Sequence, residues 1–157
     1  MAYQSLYRRR RPQTFADMIG QEHITRTLHN ALAGEKIAHA YLFCGPRGTG
    51  KTTAAKIFAR AMNCIEYPVT APCNECSSCT NIASGLSIDV IEMDAASNRG
   101  IDEIRELRER SRFASGESRF KVYIIDEAHM LTPEACNAFL KTLEEPPRHA
   151  LFILATT

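Results

Sequence analysis

A glycine-rich stretch at residues 45–52, Gly-Pro-Arg-Gly-Thr-Gly-Lys-Thr, constrains the fold of this chain more than any other feature. It fits the pattern G-x-x-x-x-G-K-[S/T] between an apolar run and a helical pattern, which is the strand–loop–helix context that this pattern requires. Glycines there let backbone N–H groups turn inward around phosphate oxygens, and the following helix adds its dipole. A chance glycine-rich turn is the alternative, and the flanking elements argue against it. The predicted phosphate-binding residues are Gly45, Pro46, Arg47, Gly48, Thr49, Gly50, Lys51 and Thr52.

Two carboxylates follow a strongly apolar run at 122–127, Val-Tyr-Ile-Ile-Asp-Glu. The run predicts a buried strand, and ligands bind beyond the carboxyl ends of strands in open parallel sheets. Lys51 is expected to neutralise the β- and γ-phosphates of a nucleotide and the Thr52 hydroxyl to ligate Mg²⁺. Asp126 is expected to hold the same ion through its water shell and Glu127 to polarise the attacking water. An isolated Asp-Glu pair is usually a solvated turn, but the phosphate loop favours the catalytic interpretation.

Short strand-like runs alternate with longer helical patterns along the chain. This alternation predicts an α/β fold with a parallel sheet that is covered on both faces. If the fourth strand lies between the first and the third, a hydroxyl of Thr156 or Thr157 at its end can sense the γ-phosphate or position water. The apolar run at 40–44 predicts a buried strand, and further strands are predicted at 89–93, 122–126 and 151–155. The predicted helices are about 21–33, 52–63, 101–113 and 133–143, the last with Thr132 as its N-cap.

Composition places the chain among ordinary globular domains. It has 157 residues, 45% of them hydrophobic and 24% charged, which suits one domain with a proper core. No apolar run approaches the roughly 20 residues needed to cross a bilayer, and the N-terminus lacks the apolar stretch of a secretory signal. We therefore expect a cytoplasmic protein without membrane contact. The net charge of +1 implies that any nucleic-acid contact is local.

Four of the six cysteines form a cluster with the spacing C-x8-C-x2-C-x2-C: Cys64, Cys73, Cys76 and Cys79. Four thiolates without a further ligand suit a closed tetrahedral Zn²⁺ site. The surrounding insert, at about 64–80, has little apolar content, so a metal would supply folding energy that it lacks. Free thiols, disulfides and an iron–sulfur cluster remain alternatives, as does a separate role of this insert in binding protein or nucleic acid. Cys44 and Cys136 lie within a predicted strand and helix and are expected to be buried.

Three weaker signals have two interpretations each. The basic run Arg8 to Arg11 suits contact with nucleic-acid or nucleotide phosphates, or is a solvated arm. The segment 94–101 and the arginines at 99 and 105 suit contact with a DNA backbone, whereas the many acidic residues of the following helix favour a salt-bridged surface. His129 is interpreted as a structural residue or as a contact to the site rather than as a base.

These residues together resemble the AAA+ ATPases, and within them the gamma/tau subunits of the bacterial DNA polymerase III clamp loader. The resemblance covers essentially the whole chain: residues 7–22 resemble the N-terminal box of the family, 45–52 its Walker A motif, 125–129 its Walker B motif, and 140–147 and 154–157 its later helix and sensor strand. The four-cysteine insert is shared with the delta-prime relatives, which generally have a degenerate phosphate loop. The intact loop therefore favours gamma/tau.

The resemblance implies an AAA+ core domain spanning 1–157 with a zinc-binding insert, and an ATPase that works within a DNA-directed DNA polymerase holoenzyme. It implies the cofactors ATP, Mg²⁺ and Zn²⁺, a five-membered ring of clamp-loader subunits, a sliding clamp and the backbone of primer–template DNA. It also implies that Tyr7, Arg11, Pro12 and Ile19 lie near the adenine.

Members of this family are longer than 157 residues. The resemblance therefore implies that the sequence stops before a fifth strand, which would pair with the first, and before a trans-acting arginine and a helical lid. We therefore expect weak nucleotide binding at most and poor hydrolysis by this chain alone, and an exposed edge at the strand 40–44. A nucleotide-gated scaffold without turnover of its own is the alternative function.

Overall fold

The computed structural model describes Leu6 and residues 10–157, and within them four strands form one parallel sheet. The order across the sheet is β1-β4-β3-β2, so β4 lies between β1 and β3, which meets the condition set above for a sensing role of Thr156 or Thr157. Parallel neighbours need crossover connections, and helices supply them. The strands are β1 (Ala40–Cys44), β2 (Val90–Asp94), β3 (Lys121–Asp126) and β4 (Ala150–Thr156); the helices are α1 (Glu22–Ala33), α2 (Lys51–Asn63), α3 (Ser77–Ser84), α4 (Ile101–Ser111) and α5 (Pro133–Glu144).

Helices cover both faces of the sheet, which gives the predicted three-layer α/β fold. Successive strand residues point to opposite faces, so β3 sends Val122 and Ile124 to one core and Tyr123 and Ile125 to the other. The first core packs against α1 and α2 through Leu28, Leu32, Ile57, Phe58 and Met62. The second packs against α4 and α5 through Ile104, Leu107, Ala135 and Phe139. The central strand β3 is therefore held from both sides, and its end is a rigid platform.

The edge strand β1 is less buried than the sequence suggested. Phe43 is buried, but Leu42 on the opposite face is 64% exposed. The reason is that β1 pairs only with β4 among the described strands. The expectation that 40–44 is an exposed edge is thus confirmed. The prediction that the same run is a buried strand was wrong.

The prediction that Cys44 and Cys136 are buried was also wrong, because both are exposed. Cys44 is the last residue of the edge strand. In α5 the buried positions are Ala135, Phe139 and Thr142, and this helical spacing leaves Cys136 on the outer face. A position inside a regular element does not decide burial; the face of that element does.

Two helix starts show what the sequence could and could not predict. Thr132 caps α5 as expected, because its hydroxyl accepts a hydrogen bond from the Ala135 N–H at 3.2 Å. Helix α3, by contrast, was missed. It has only eight residues and starts inside the cysteine run, with the Cys76 sulfur in the capping position. Among the described residues, no helix has the length and apolar character needed to cross a bilayer.

Asp89, just before β2, is a buried carboxylate that organises the loop before β3. It is only 2% exposed and accepts three hydrogen bonds of 2.8 Å from the N–H groups of Gly116, Glu117 and Ser118. Burial by itself raises the pKa of Asp89, but the three N–H donors outweigh it and hold the pKa below its usual value. The ionised form is therefore the one that stabilises the fold.

We expect Asp89→Asn to lower the free energy of unfolding at pH 7 by about 1–3 kcal/mol, because an amide cannot accept from all three donors. Since the folded pKa is depressed, this contribution is present above the unfolded value of about 3.9 and is lost as the pH falls through the folded pKa. The difference between the two proteins in urea unfolding should therefore shrink below about pH 4. Asp102→Asn, at an exposed carboxylate, is the matched control. An equal effect of both substitutions would contradict this role of Asp89.

Candidate functional site

The acidic motif at the end of β3 and the phosphate-loop motif meet at the carboxyl edge of the sheet. The Thr52 hydroxyl donates a hydrogen bond of 2.7 Å to Oδ2 of Asp126. Thr52 lies in the first turn of α2 and Asp126 is the last residue of β3, so this bond joins residues that are 74 positions apart. A hydroxyl and a carboxylate at this distance supply adjacent oxygen ligands of the kind that Mg²⁺ prefers.

The glycine-rich loop has the backbone that its sequence predicted. Gly48 and Gly50 adopt φ angles of +78° and +89°, in the left-handed region that favours glycine. A β-carbon at Gly50 would also lie 3.1 Å from Cε of Met18. The Lys51 ammonium donates to the carbonyl oxygens of Gly45 at 2.6 Å and Pro46 at 2.8 Å, across the loop. The loop is therefore a closed turn with its cation on the inner side.

An open cavity of about 980 Å³ extends from this loop, a volume in the range of small-molecule sites. Three of the residues predicted near the adenine, Arg11, Pro12 and Ile19, line it, while Tyr7 lies outside the described residues. The other lining residues are Arg10, Met18, Arg47 to Thr53, Asp94, Ala96, Asp126 and Glu127. The cavity thus has three sides: the phosphate loop, the acidic ends of β2 and β3, and an N-terminal wall formed by Arg10, Arg11, Pro12, Met18 and Ile19.

A side-chain contact of Arg11 holds the N-terminal wall against the first turn of α2. Nε of Arg11 donates a hydrogen bond of 3.1 Å to Oγ1 of Thr53. Thr53 follows the predicted Mg²⁺ ligand Thr52 directly in the chain. The position of the wall is therefore fixed relative to the phosphate loop.

Glu127 is held by charged neighbours and by a strained backbone. Its φ angle of +51° is in the left-handed region, which is costly for a residue with a β-carbon and is common at functional sites. Oε2 lies 3.5 Å from Nη2 of Arg47 and 3.3 Å from Nε2 of His129. This carboxylate oxygen is shielded from solvent and has no hydrogen-bond partner among the described residues, so the Arg47 and His129 side chains form its surroundings.

His129 links Glu127 to the end of β4. Its Nδ1 lies 3.1 Å from Oγ1 of Thr156, while its Nε2 faces Glu127. The imidazole therefore contacts both side chains, which agrees with the interpretation of His129 as a contact to the site. Of the two candidate sensors the structure brings Thr156 into the network; Thr157, the next residue, is exposed.

Four cavity residues were not predicted for the nucleotide site: Met18, Thr53, Asp94 and Ala96. Asp94 ends β2 and pairs in register with Asp126 on the neighbouring strand. A residue at the carboxyl end of a neighbouring parallel strand is a signal that could have identified it. Met18 carries no such signal in the sequence, because its place depends on how the N-terminal segment crosses the loop.

The four predicted cysteine ligands come together beside the far end of α2. The sulfur atoms of Cys64, Cys73, Cys76 and Cys79 all lie within 4.8 Å of one another. The N–H of Cys76 points at the Cys73 sulfur at 3.3 Å, and the N–H of Cys79 at the Cys76 sulfur at 3.4 Å. Four convergent sulfur donors could hold one metal ion.

The four thiols are not electrostatically equivalent. Burial works against the thiolate of Cys76, but hydrogen bonds from the N–H groups of Ile65 and Cys79 outweigh it and lower the pKa to about 6. Burial raises the pKa of Cys64 and of Cys79. Since a metal binds thiolates, Cys76 offers the first ligand, and a bound cation would offset the cost of ionising the others.

A family model described as "DNA polymerase III, delta subunit" matches residues 20–157. DNA polymerase III subunit tau of Bacillus subtilis is 64% identical over 157 residues, which are 100% of this chain and 28% of that protein. DNA polymerase III subunit gamma/tau of Mycobacterium tuberculosis is 53% identical over 98% of this chain and 27% of that protein. The tau subunit of Escherichia coli is 50% identical over 100% of this chain and 24% of that protein. The chain therefore spans about a quarter of the length of these relatives.

Solved structures of low sequence identity share the fold. A DNA polymerase III gamma subunit-related protein of Thermotoga maritima is 23% identical with a TM-score of 0.53, covering 84% of this chain and 38% of that one. The RuvB Holliday junction branch migration motor of the same organism is 22% identical with a TM-score of 0.56, covering 93% and 41%. The chain thus shares its α/β fold, a parallel sheet with helices on both faces, with these two proteins. The chain belongs to the DNA polymerase III subunit family that the matching model describes, and within it resembles the N-terminal part of the tau/gamma subunits.

Proposed function

We propose that this chain binds ATP with Mg²⁺ and hydrolyses it, as the nucleotide-binding core of a clamp-loader subunit of bacterial DNA polymerase III. In this role ATP is used to load a sliding clamp onto primed DNA during replication. The observation that carries the proposal is the 2.7 Å contact between Thr52 and Asp126 at the mouth of the 980 Å³ cavity. The proposed phosphate loop and the acidic end of β3 border the same cavity, and the volume of this cavity suits a small molecule.

The phosphate loop would hold the triphosphate. Backbone N–H groups of 45–52 would cradle its oxygens, and Lys51 would exchange its contacts with Gly45 and Pro46 for the β- and γ-phosphates. Thr52 would ligate Mg²⁺ directly and Asp126 through water. The adenine would lie against Pro12, Met18 and Ile19, with Arg11 at the wall; Tyr7 is proposed for the same side from the sequence alone.

Glu127 would orient the attacking water, and Thr156 would contact the γ-phosphate. Both side chains are already joined through His129. A change at the γ-phosphate that moves Thr156 would therefore also shift His129 and alter its contact with the Glu127 carboxylate. Thr157 stays a weaker candidate for the same sensing role, because its side chain is exposed.

The cysteine cluster would hold a structural Zn²⁺. Four sulfur ligands with no open position favour zinc in a closed tetrahedral site over a catalytic ion. Because one ligand follows α2 and the others surround the start of α3, the ion would tie the two helices together.

The partners follow from the family and not from the geometry of this chain. The relatives are named as subunits of DNA polymerase III, so we propose neighbouring clamp-loader subunits in a five-membered ring. A sliding clamp and the backbone of primer–template DNA are the further partners, and the cytoplasm is the proposed location.

A nucleotide-gated scaffold without turnover is the second candidate. It is favoured by the contacts of Glu127 with Arg47 and His129, because a carboxylate engaged in this way is not available to water. Hydrolysis would require at least one of these contacts to be released.

We expect Lys51→Ala to abolish ATP binding, because the cation proposed to neutralise the β- and γ-phosphates is removed. Isothermal titration with ATP and Mg²⁺ should show saturable binding for the unchanged chain and none for the variant. Lys141→Ala, an exposed lysine of α5, should bind as the unchanged chain does. Equal affinity of all three proteins would refute the assignment of the loop.

We expect Glu127→Gln to keep ATP affinity within about twofold and to lower the hydrolysis rate by about 10²-fold or more, because the amide cannot polarise water. A single-turnover assay, with and without purified DNA polymerase III partner subunits, measures this. Normal turnover by the variant would exclude Glu127 as the water-activating group. Absence of turnover in both proteins under all conditions would favour the scaffold.

The cluster should bind one Co²⁺ in place of Zn²⁺, with the intense visible absorption of a tetrahedral thiolate complex, because all four sulfur atoms converge. We expect Cys73→Ser to weaken metal binding by about tenfold or more. Cys136→Ser, at an exposed cysteine outside the cluster, should leave the spectrum unchanged. Octahedral spectra, or equal loss in both variants, would speak against the site.

A further inference from the structure

Arg60 is a buried cation without an acidic partner. It lies in α2, the helix that begins at the phosphate loop, and it is 4% exposed. Within residues 10–157 no carboxylate lies within 4.0 Å of its guanidinium. A guanidinium stays charged in proteins, and a buried charge is costly unless a compensating charge is near.

The cysteine cluster lies beside Arg60 and becomes a source of negative charge when its thiols ionise. The Cys79 sulfur lies 3.9 Å from the backbone carbonyl oxygen of Arg60. A divalent ion held by four thiolates carries a net charge of about −2. A loaded cluster therefore supplies the negative charge that buried Arg60 otherwise lacks.

The Arg60 side chain also joins two segments that are distant in sequence. Nη1 donates to Oδ1 of Asn74 at 2.8 Å and to Oε1 of Gln13 at 2.9 Å, and Nη2 donates to the Gln13 carbonyl oxygen at 3.1 Å. Asn74 lies between the ligands Cys73 and Cys76. A metal that fixes these two cysteines would thus fix the position of one Arg60 partner.

From Gln13 the contacts continue to the wall of the cavity. Nε2 of Gln13 donates to the carbonyl oxygen of Arg11 at 3.0 Å, and Arg11 in turn donates to Thr53. Gln13 is adjacent to Pro12, which lines the cavity with Arg11. A continuous series of hydrogen bonds therefore runs from the cysteine loop through Arg60 to the side of the cavity proposed for adenine.

We propose that Arg60 is a positioning residue that couples metal occupancy of the cysteine cluster to nucleotide affinity. The coupling rests on the nucleotide site proposed above. A bound metal fixes Asn74 and balances the Arg60 charge, and Arg60 then holds Gln13 and the N-terminal wall in the conformation that closes on the nucleotide. By linkage, the nucleotide must tighten metal binding by the same factor.

The test uses a variant that breaks the contact between the cysteine loop and Arg60 but keeps the four cysteines that would bind the metal. Asn74 adopts a φ of +63°, so Asn74→Gly keeps this backbone and all four cysteines while removing the side-chain contacts with Arg60 and with the Gln13 carbonyl oxygen. Glu75→Gly, at the exposed neighbour in the same loop, is the matched control. All proteins are loaded with one Zn²⁺, their thermal stability is checked, and the ATP dissociation constant is measured with excess Mg²⁺.

We expect Zn²⁺-loaded Asn74→Gly to bind ATP about tenfold more weakly than the unchanged chain, a typical coupling factor, while Glu75→Gly binds normally. In the reciprocal measurement, ATP should lower the Zn²⁺ dissociation constant of the unchanged chain against a competing chelator and have less than about twofold effect in Asn74→Gly. Arg60→Met should weaken Zn²⁺ binding without ATP, and Arg60→Lys should restore much of it because the charge returns.

Equal ATP affinity of both loop variants and the unchanged chain would overturn the coupling and leave the nucleotide site standing. Failure of the unchanged, zinc-loaded chain to bind ATP at all would instead overturn the proposed function. Equal Zn²⁺ affinity of Arg60→Met and Arg60→Lys would show that the charge of Arg60 does not serve the cluster.

Discussion

The hydrogen bond between Thr52 and Asp126 is the contact on which the nucleotide site depends. It joins the start of α2 to the end of β3 at 2.7 Å, and both elements are fixed by the same apolar core, through Phe58 on one side and Ile124 on the other. Because the core is closely packed, the two oxygen ligands cannot drift apart without a cost in packing. The parallel sheet order places β4 between β1 and β3, which brings Thr156 to the same edge.

Around this contact, charged groups hold one another in place before any nucleotide binds. Lys51 contacts the loop's own carbonyl oxygens, and Glu127 contacts Arg47 and His129. Lys51 has a proposed partner in bound ATP and Glu127 in the attacking water, so binding would exchange existing contacts for new ones. The left-handed backbone at Glu127 shows that the acidic residue is held in a costly conformation, which the rigid end of β3 can sustain.

Motifs and periodicity predicted most of this fold, and physical context explains the rest. The phosphate loop and the cluster of four cysteines could be predicted, because the residue types and their spacing carry the chemistry locally. The position of β4 between β1 and β3 could not, because strand order is set by the tertiary structure. The burial of Cys44 and Cys136 was predicted wrongly, because burial depends on which side of a strand or helix packs against the core. Helix α3 was missed, because it begins within a cysteine run that has no helical periodicity. The link from Asn74 through Arg60 to Gln13 could not be predicted, because it joins three segments whose proximity only the tertiary structure creates.

The central claim is that Thr52 and Asp126 serve one Mg²⁺ at a bound triphosphate. The most direct measurement is the ATP dissociation constant with and without Mg²⁺, for the unchanged chain, Thr52→Val, Asp126→Asn and the double variant. The account predicts that Mg²⁺ tightens binding by about tenfold or more in the unchanged chain, which is at least about 1.4 kcal/mol, and by less than about twofold in each variant. It also predicts that the double variant is no worse than either single one, because both substitutions remove the same interaction. An undiminished Mg²⁺ effect in Asp126→Asn would contradict the account.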